Sequence, residues 1–430
     1  MKSIPHPFSS FSRRRFLQLG GAAAAATLAG PGIQRARAVG ADEVLKIGLV
    51  GCGGRGSGAA AQALTADGYS VLHAVGDVFE DRIEGSLRNL AAQFEGRVEV
   101  DDSRKFVGLD AFRGVIDSGV DVVLLATPPA FRPAHFEYAV EQGKHIFAEK
   151  PVSVDVAGAK RILAAMPVAE AKNLSVVSGF CWRYSDSRRE AFQLLHDGAI
   201  GDVASYFATY YTGPVNPYPA GDEPGTQPDL ARQLRYWQNF IWLSGDSLVE
   251  QAVHSVDKIA WAMQDKPPLA CVGTGGRQQP SHGGNIFDHF HVAYEYEDQV
   301  FCHMGSRQQR GLHSENADYI RGTKGSLVIG RGPNPVMRGE TDWRFRGEDR
   351  NMYQVEHDEL FAAIRSGDRV DDTGWMTYST LLSIMGRTAA YTGQRIEWDA
   401  FMASDDSLVP DDLSWDSEVP VAPIPIPGMV

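Results

Sequence analysis

Residues 47–58 read IGLVGCGGRGSG, an apolar run that breaks into five glycines within the eight positions from Gly51 to Gly58. Glycine weakens any regular element, so this density marks backbone that must turn tightly or be approached closely. The apolar residues 44–50 before it read as a strand, and the small, alanine-rich residues 57–65 after it read as a helix packed close to a sheet. Between them Gly51-Cys52-Gly53-Gly54-Arg55-Gly56 fits G-x-G-x-x-G, the loop that seats a pyrophosphate on a helix N-terminus. Gly51 then permits the turn, Gly53 the approach of the pyrophosphate and Gly56 the contact of helix with strand, with Gly54 and Arg55 completing the cofactor loop. A second apolar run, 69–76, ends in Asp77, 26 positions after Gly51 and near the ~20-residue spacing of the acid that holds an adenine ribose. Its carboxylate accepts from a free 2'-hydroxyl and repels a 2'-phosphate, which favours NAD. Arg82 softens that preference toward NADP if its side chain folds back.

The chain of 430 residues opens with Ser12-Arg13-Arg14-Arg15-Phe16-Leu17, an alanine-rich run and Ala36-Arg37-Ala38, the pattern of a cleaved twin-arginine export signal over residues 1–38. Its apolar middle is shorter than the ~20 residues of a spanning helix, so no membrane span is expected after cleavage. The twin-arginine machinery is then a partner and the destination periplasmic. Without residues 1–38 the chain holds 35 basic against 54 acidic side chains, a net charge of −19, which disfavours nucleic acid or an anionic membrane as partner. Cys52, Cys181, Cys271 and Cys302 have no metal-ligand or disulfide-framework spacing, so buried free thiols and no metal site are expected.

The α/β alternation continues through residues 120–126, an unbroken apolar run of the kind buried on both faces of a parallel sheet, which ends in Thr127-Pro128-Pro129. Ligands in such sheets sit beyond the strand C-termini, which makes Thr127 and Pro128 cofactor candidates, with His135 in the helical segment that follows. Another strand, 145–148, leads into Glu149-Lys150-Pro151. Further on, Gly245 to Asp257 places Glu250 and His254 one helical turn apart, so that a carboxylate sets the tautomer and basicity of an imidazole; Val253 and Asp257 share another face. A solvated pair on a helix surface is the alternative.

With these motifs the chain resembles the glucose-fructose oxidoreductase, inositol dehydrogenase and MocA family (Gfo/Idh/MocA) over residues 44–400. The resemblance implies that Lys150 of E-K-P and His254 are catalytic, with Glu250 standing where the family often has Asp, and that Glu149 and Lys150 lie at the cofactor. It also covers Thr323-Lys324-Gly325-Ser326-Leu327, like a strand of the family's second domain, and residues 386–393, like its closing helix. The implied fold is α/β: a Rossmann doubly wound parallel sheet over 44–165, then an α/β domain over 166–400 with an open, mainly antiparallel sheet that often makes a homo-oligomer interface. The closing helix, about 374–393, would pack back on the Rossmann domain, and residues 401–430 form a Pro/Asp-rich tail, an extended strap or a disordered end.

In the second half, residues 290–296 and 300–304 alternate like half-exposed strands, with His289 and His291 on one face; satisfied or substrate-facing histidines are expected there rather than a metal site. Trp182-Arg183-Tyr184 offers an aromatic face and a cation to a sugar, or packs between domains. Together with Asp257 and His289 these are the substrate candidates. The Gly-, Pro- and Tyr-rich residues 210–229 read as a long loop beside the cleft.

The function that follows is oxidation of a secondary hydroxyl of a sugar, cyclitol or derivative with NAD, His254 taking the proton and Lys150 polarising the oxygen. Export to a compartment poor in free NAD implies a cofactor that stays bound and is regenerated in the site. A redox-neutral cycle through a transient keto-sugar, giving glycoside cleavage or epimerisation, meets the same constraint. A non-catalytic sugar-binding protein is the third reading, against which the paired Lys150 and His254 stand.

Overall fold

The computed structural model describes residues 40, 42–219, 229–279 and 283–429. The export-signal reading of residues 1–38 and the centre of the loop at 220–228 lie outside the described residues.

The first sheet has six strands, β1 (Leu45–Val50), β2 (Ser70–Asp77), β3 (Lys105–Val107), β4 (Val122–Leu125), β5 (His145–Ala148) and β6 (Val176–Ser178). They lie in the order β3-β2-β1-β4-β5-β6, and every pair is parallel. β2, β4, β5 and β6 are buried along their whole length, as their apolar runs require of a sheet covered on both faces. The order reverses between β1 and β4, which opens a crevice beyond their C-terminal ends. Gly51, at φ +96°, turns the chain there, and a Cβ on it would stand 2.7 Å from the Ala126 carbonyl carbon. On Gly56, in the helix Gly54–Ala66, a Cβ would stand 1.8 Å from the Gly51 oxygen, so only glycine lets that helix start so close to the strand.

The second sheet has nine strands, β7 (Val203–Thr212), β8 (Ala270–Gly276), β9 (His289–Glu295), β10 (Phe301–Gln308), β11 (Asp318–Gly322), β12 (Gly325–Ile329), β13 (Val336–Gly339), β14 (Trp343–Arg344) and β15 (Ile396–Glu397). Their order is β14-β13-β12-β11-β7-β10-β9-β8-β15, antiparallel except for β7 with β10. One face buries Tyr206, Tyr294 and Met304 in a core shared with the helices Val253–Ala262 and Thr373–Thr392, while Phe207, Val272 and Phe301 are exposed.

The helix Thr373–Thr392 is a wall common to both sheets. At its start Asp372 accepts from the Ser178 N–H of β6 at 2.8 Å and from the Tyr184 hydroxyl, and Thr380 Oγ1 accepts from the Val152 N–H at 3.3 Å. Near its end the backbone of Ala390 lies so close to β8 that a Cβ on Gly273 would stand 2.9 Å from its nitrogen. Residues 404–429 contain no regular element and run over the surface as a strap, with Leu408 N–H on Asp155 Oδ2 at 2.7 Å and Gly428 N–H on the Thr392 carbonyl at 3.1 Å.

A buried histidine gives the first sheet a pH dependence. His145 Nδ1 accepts from the Ser175 N–H at 3.0 Å, and burial lowers its pKa from 6.5 to about 4. The unfolded chain binds a proton at the ordinary value, so this contribution is complete above pH 6.5 and is lost as pH falls toward 4. It amounts to about 3 kcal/mol. His145→Asn keeps an acceptor for Ser175, and its urea midpoint is expected to fall less between those pH values than the parent's; an equal fall contradicts this assignment.

Candidate active site

The cleft at the reversal point is lined on one side by Gly51 and Gly53 and floored by Asp77, Thr127, Pro128 and His135. Asp77, at the end of β2, accepts from the Cys52 N–H at 2.7 Å and the Phe79 N–H at 3.0 Å, which fixes its carboxylate at the cleft. Burial raises its pKa, opposed by those two N–H groups and by Arg82. The Arg82 side chain does fold back: it lines the same cleft, with Nη1 3.1 Å from where a Gly53 Cβ would stand. His135 stacks on Phe112 with ring centroids 4.1 Å apart, and its Nδ1 lies 3.2 Å from Thr127 Oγ1. Burial, with Arg132 and Arg113, lowers its pKa to about 3, so it is a neutral wall. A bare glycine turn, the start of the helix Gly54–Ala66 and an acid aimed past them fit a dinucleotide's pyrophosphate and ribose. Gly54 flanks the turn on the side facing the helix Glu80–Gln93.

Arg55 and Glu149 do something other than line this cleft. The Arg55 guanidinium is held by the Glu149 carboxylate, by Glu356 at 3.0 Å and by Gln62 at 3.0 Å, so that two buried carboxylates share its charge. Glu149 in turn accepts from the Lys150 N–H at 3.2 Å. Neither lines the cleft described above, and together they form a strut that joins the glycine helix to the turn before Lys150. Arg132 braces the same turn, donating to the carbonyls of Thr127 and Pro151.

Lys150 leaves the end of β5 and meets the second domain. Its Nζ lies 2.5 Å from the Glu250 carbonyl and 3.5 Å from the Glu250 carboxylate. This overturns the reading of Glu250 and His254 as partners on one helix: the helix Ser247–Glu250 stops, and a new one, Val253–Ala262, starts after Gln251 and Ala252. The break turns Glu250 toward the ammonium, and His254 Nδ1 is buried with no hydrogen-bond partner. Burial, then Lys150, Lys258 and Arg55, keep the His254 pKa well below its ordinary value, so the imidazole is neutral. Its ring lies 5.4 Å from Trp182 and 6.0 Å from Phe180, centroid to centroid.

Of the substrate candidates only half-buried Trp182 faces this histidine. Arg183 is buried, bound by Asp257 at 2.8 Å and Asp265 at 2.6 Å and packed over Trp375 at 4.2 Å; Asp257 also accepts from Ser379 at 2.8 Å. Charges so enclosed hold elements together, although Asp257 Oδ2 is buried with no hydrogen-bond partner. Tyr184 is buried with its hydroxyl on Asp372, and His289 is bound at Nδ1 by Asp288 at 2.7 Å on the second sheet.

Sequence reasoning missed Lys258, one turn beyond His254 in the helix Val253–Ala262. Its ammonium is bound by buried Asp318 and lies 3.8 Å from the Trp182 ring, and burial lowers its pKa to about 8. The i, i+4 spacing from His254 was the available signal. Tyr210, whose hydroxyl donates to Gln251 at 3.0 Å, was missed too; burial raises its pKa to about 12. Leu234 and Trp237 also line the dinucleotide cleft, from a segment whose sequence carries no cofactor signal. No group of three metal-ligating side chains occurs, and all four cysteines are free and buried, among the described residues.

Comparison with known proteins agrees with this geometry. Residues 45–178 match the model of the Gfo/Idh/MocA oxidoreductase family, NAD-binding Rossmann fold, in keeping with an NAD-binding Rossmann domain there. The chain is 24% identical over 179 residues to a dTDP-3,4-didehydro-2,6-dideoxy-alpha-D-glucose 3-reductase of Actinomadura kijaniata, a match covering 41% of this chain and 48% of that one. It is 27% identical over 295 residues to inositol 2-dehydrogenase 4 of Saccharopolyspora erythraea, covering 66% of this chain and 78% of that one. The fold is that of levoglucosan dehydrogenase in complex with NADH and levoglucosan, with a TM-score of 0.65 at 18% identity over 83% of this chain and 99% of that one.

The cleft's charge pattern sets its dinucleotide preference. Asp77→Ser removes the anion and leaves Arg82 in place, so the ratio of NADP to NAD affinity is expected to rise by at least about tenfold in a fluorescence titration. An unchanged ratio would show that Asp77 does not face the ribose.

Proposed function

We propose that the chain oxidises or reduces a secondary hydroxyl carbon of a sugar, cyclitol or derivative. The observation that carries this reading is the convergence of an ammonium, Lys150, with a neutral imidazole whose Nδ1 has no hydrogen-bond partner, His254, beyond the strand that follows the NAD cleft. The inositol and deoxysugar relatives agree with the substrate class.

When bound, the nicotinamide supplies the hydride acceptor or donor. His254 takes the hydroxyl proton on its unprotonated nitrogen, and Lys150, anchored on Glu250, stabilises the oxygen as its charge develops. Glu250 is a positioning residue for the ammonium. Trp182 presents its indole beside the imidazole and offers an apolar face to the C–H side of a sugar ring.

The twin-arginine reading of residues 1–38 adds that the protein is exported to the periplasm with its NAD already in place, which the site regenerates itself. Two substrates in turn, one oxidised and one reduced, satisfy this. So does a redox-neutral cycle in which transient oxidation acidifies the neighbouring C–H and permits cleavage of a glycoside or epimerisation. Release of free sugar from a glycoside with no net change in absorbance of the nicotinamide selects the second. Assembly of copies through the sheet face bearing Phe207, Val272 and Phe301 completes the reading.

His254→Ala and Lys150→Met are expected to lower the turnover number by about 10²- to 10⁴-fold. Denatured parent and variants should release NAD or NADH in equal amounts, near one per chain. Unaltered turnover in His254→Ala contradicts the proton assignment, and parent protein that carries no dinucleotide contradicts retention.

A further inference from the structure

We propose that residues 230–243 of the second domain, backed by the C-terminal strap, form a clamp over the adenosine end of the dinucleotide and set how slowly it leaves. The proposal rests on the NAD reading of the cleft and adds the residues that close it.

The helix Leu230–Arg235 and the turn Trp237–Asn239 cross to the first domain, where Leu234 and Trp237 stand in the cleft wall with Phe79 and Asp77. A tie crosses the mouth: the Arg235 guanidinium lies 3.9 Å over the Phe79 ring and binds both oxygens of Asp81 at 2.8 and 3.0 Å. Phe79 and Asp81 belong to the stretch just after Asp77, so the acid that faces the ribose and the latch that covers it lie on one short piece of chain.

The clamp is held from behind by the strap. Gln233 receives the Trp242 indole N–H at 2.8 Å and donates to the Val419 carbonyl at 2.6 Å, and Asn285, which accepts from the Ile241 N–H at 2.9 Å, donates to the Ala422 carbonyl at 3.1 Å. Side chains of Leu408, Leu413, Val419 and Val421 pack on the cluster that contains Leu234, Trp242 and Phe240. Val409 joins them there, whereas Trp415, Ile424, Ile426 and Met429 of the strap are exposed.

A dinucleotide seated at Asp77 therefore leaves only when Arg235 parts from Asp81 and Leu234 and Trp237 lift off. Full-length protein loaded with NAD, diluted into a scavenging NAD hydrolase and sampled by mass spectrometry, gives the release rate directly. Trp237→Ala and removal of residues 408–430 are each expected to speed release by about tenfold or more. Arg235→Asp is expected to speed it as well, and the charge-swapped pair Asp81→Arg with Arg235→Asp to restore the slow rate. Release at the parent rate from Trp237→Ala and from Arg235→Asp overturns the clamp while leaving the NAD site intact. Parent protein that binds no NAD overturns the site and the clamp together.

Discussion

The contact between Lys150 and Glu250 is the one on which the site depends, because it joins the edge of one sheet to the helices of the other and decides the charge of everything between them. An ammonium largely withdrawn from water needs hydrogen-bond acceptors and a counter-charge, and it finds them in the carbonyl and the carboxylate of the same residue. Glu250 is thereby taken away from His254. Burial is the first cause that suppresses the charge of the imidazole, and Lys150, Lys258 and Arg55 add to it, with no anion among them. A base and an electrophile thus coexist a short distance apart without neutralising each other, which is what removal of a proton from an alcohol requires.

Behind this pair lies a second charged layer. Arg55 rises from the glycine-rich helix, is clasped by Glu149 immediately before Lys150, and reaches Glu356 in the helix Met352–Ser366. Burial and the nearby Glu149 raise the Glu356 pKa above that of an ordinary carboxyl, and Arg55 opposes the shift. The cofactor loop, the catalytic turn and the C-terminal helix are tied at one point, and a shift in any of them is felt at Lys150.

Much of this was legible in the sequence where chemistry is local. The glycine loop, Asp77 and the strands that carry Thr127 and Lys150 follow from spacing and apolar runs, and β5 has the same bounds in sequence and structure. Legibility failed where contacts are long-range. Residues 245–257 read as one helix, but Gln251 and Ala252 break it, and an i, i+4 argument cannot anticipate a partner 100 positions away. Arg183 and Asp257 looked like a cation and an anion available to a sugar; Trp261, Trp375 and Asp265 enclose them. Arg55 sits in a phosphate-binding motif, yet Glu356, 301 positions on, takes its charge. In each case an ionic group was claimed by a counter-charge that only the folded chain brings near.

The neutrality of His254 is the central claim, and a histidine titration tests it without a substrate. In protein carrying ¹⁵N-labelled histidine, with His254→Gln used to assign the resonance, the imidazole is expected to remain unprotonated at pH 6 and to titrate only well below the ordinary value of 6.5. A midpoint at or above 6.5 would mean that a carboxylate faces the ring after all, and that the Lys150 and Glu250 contact does not govern the site.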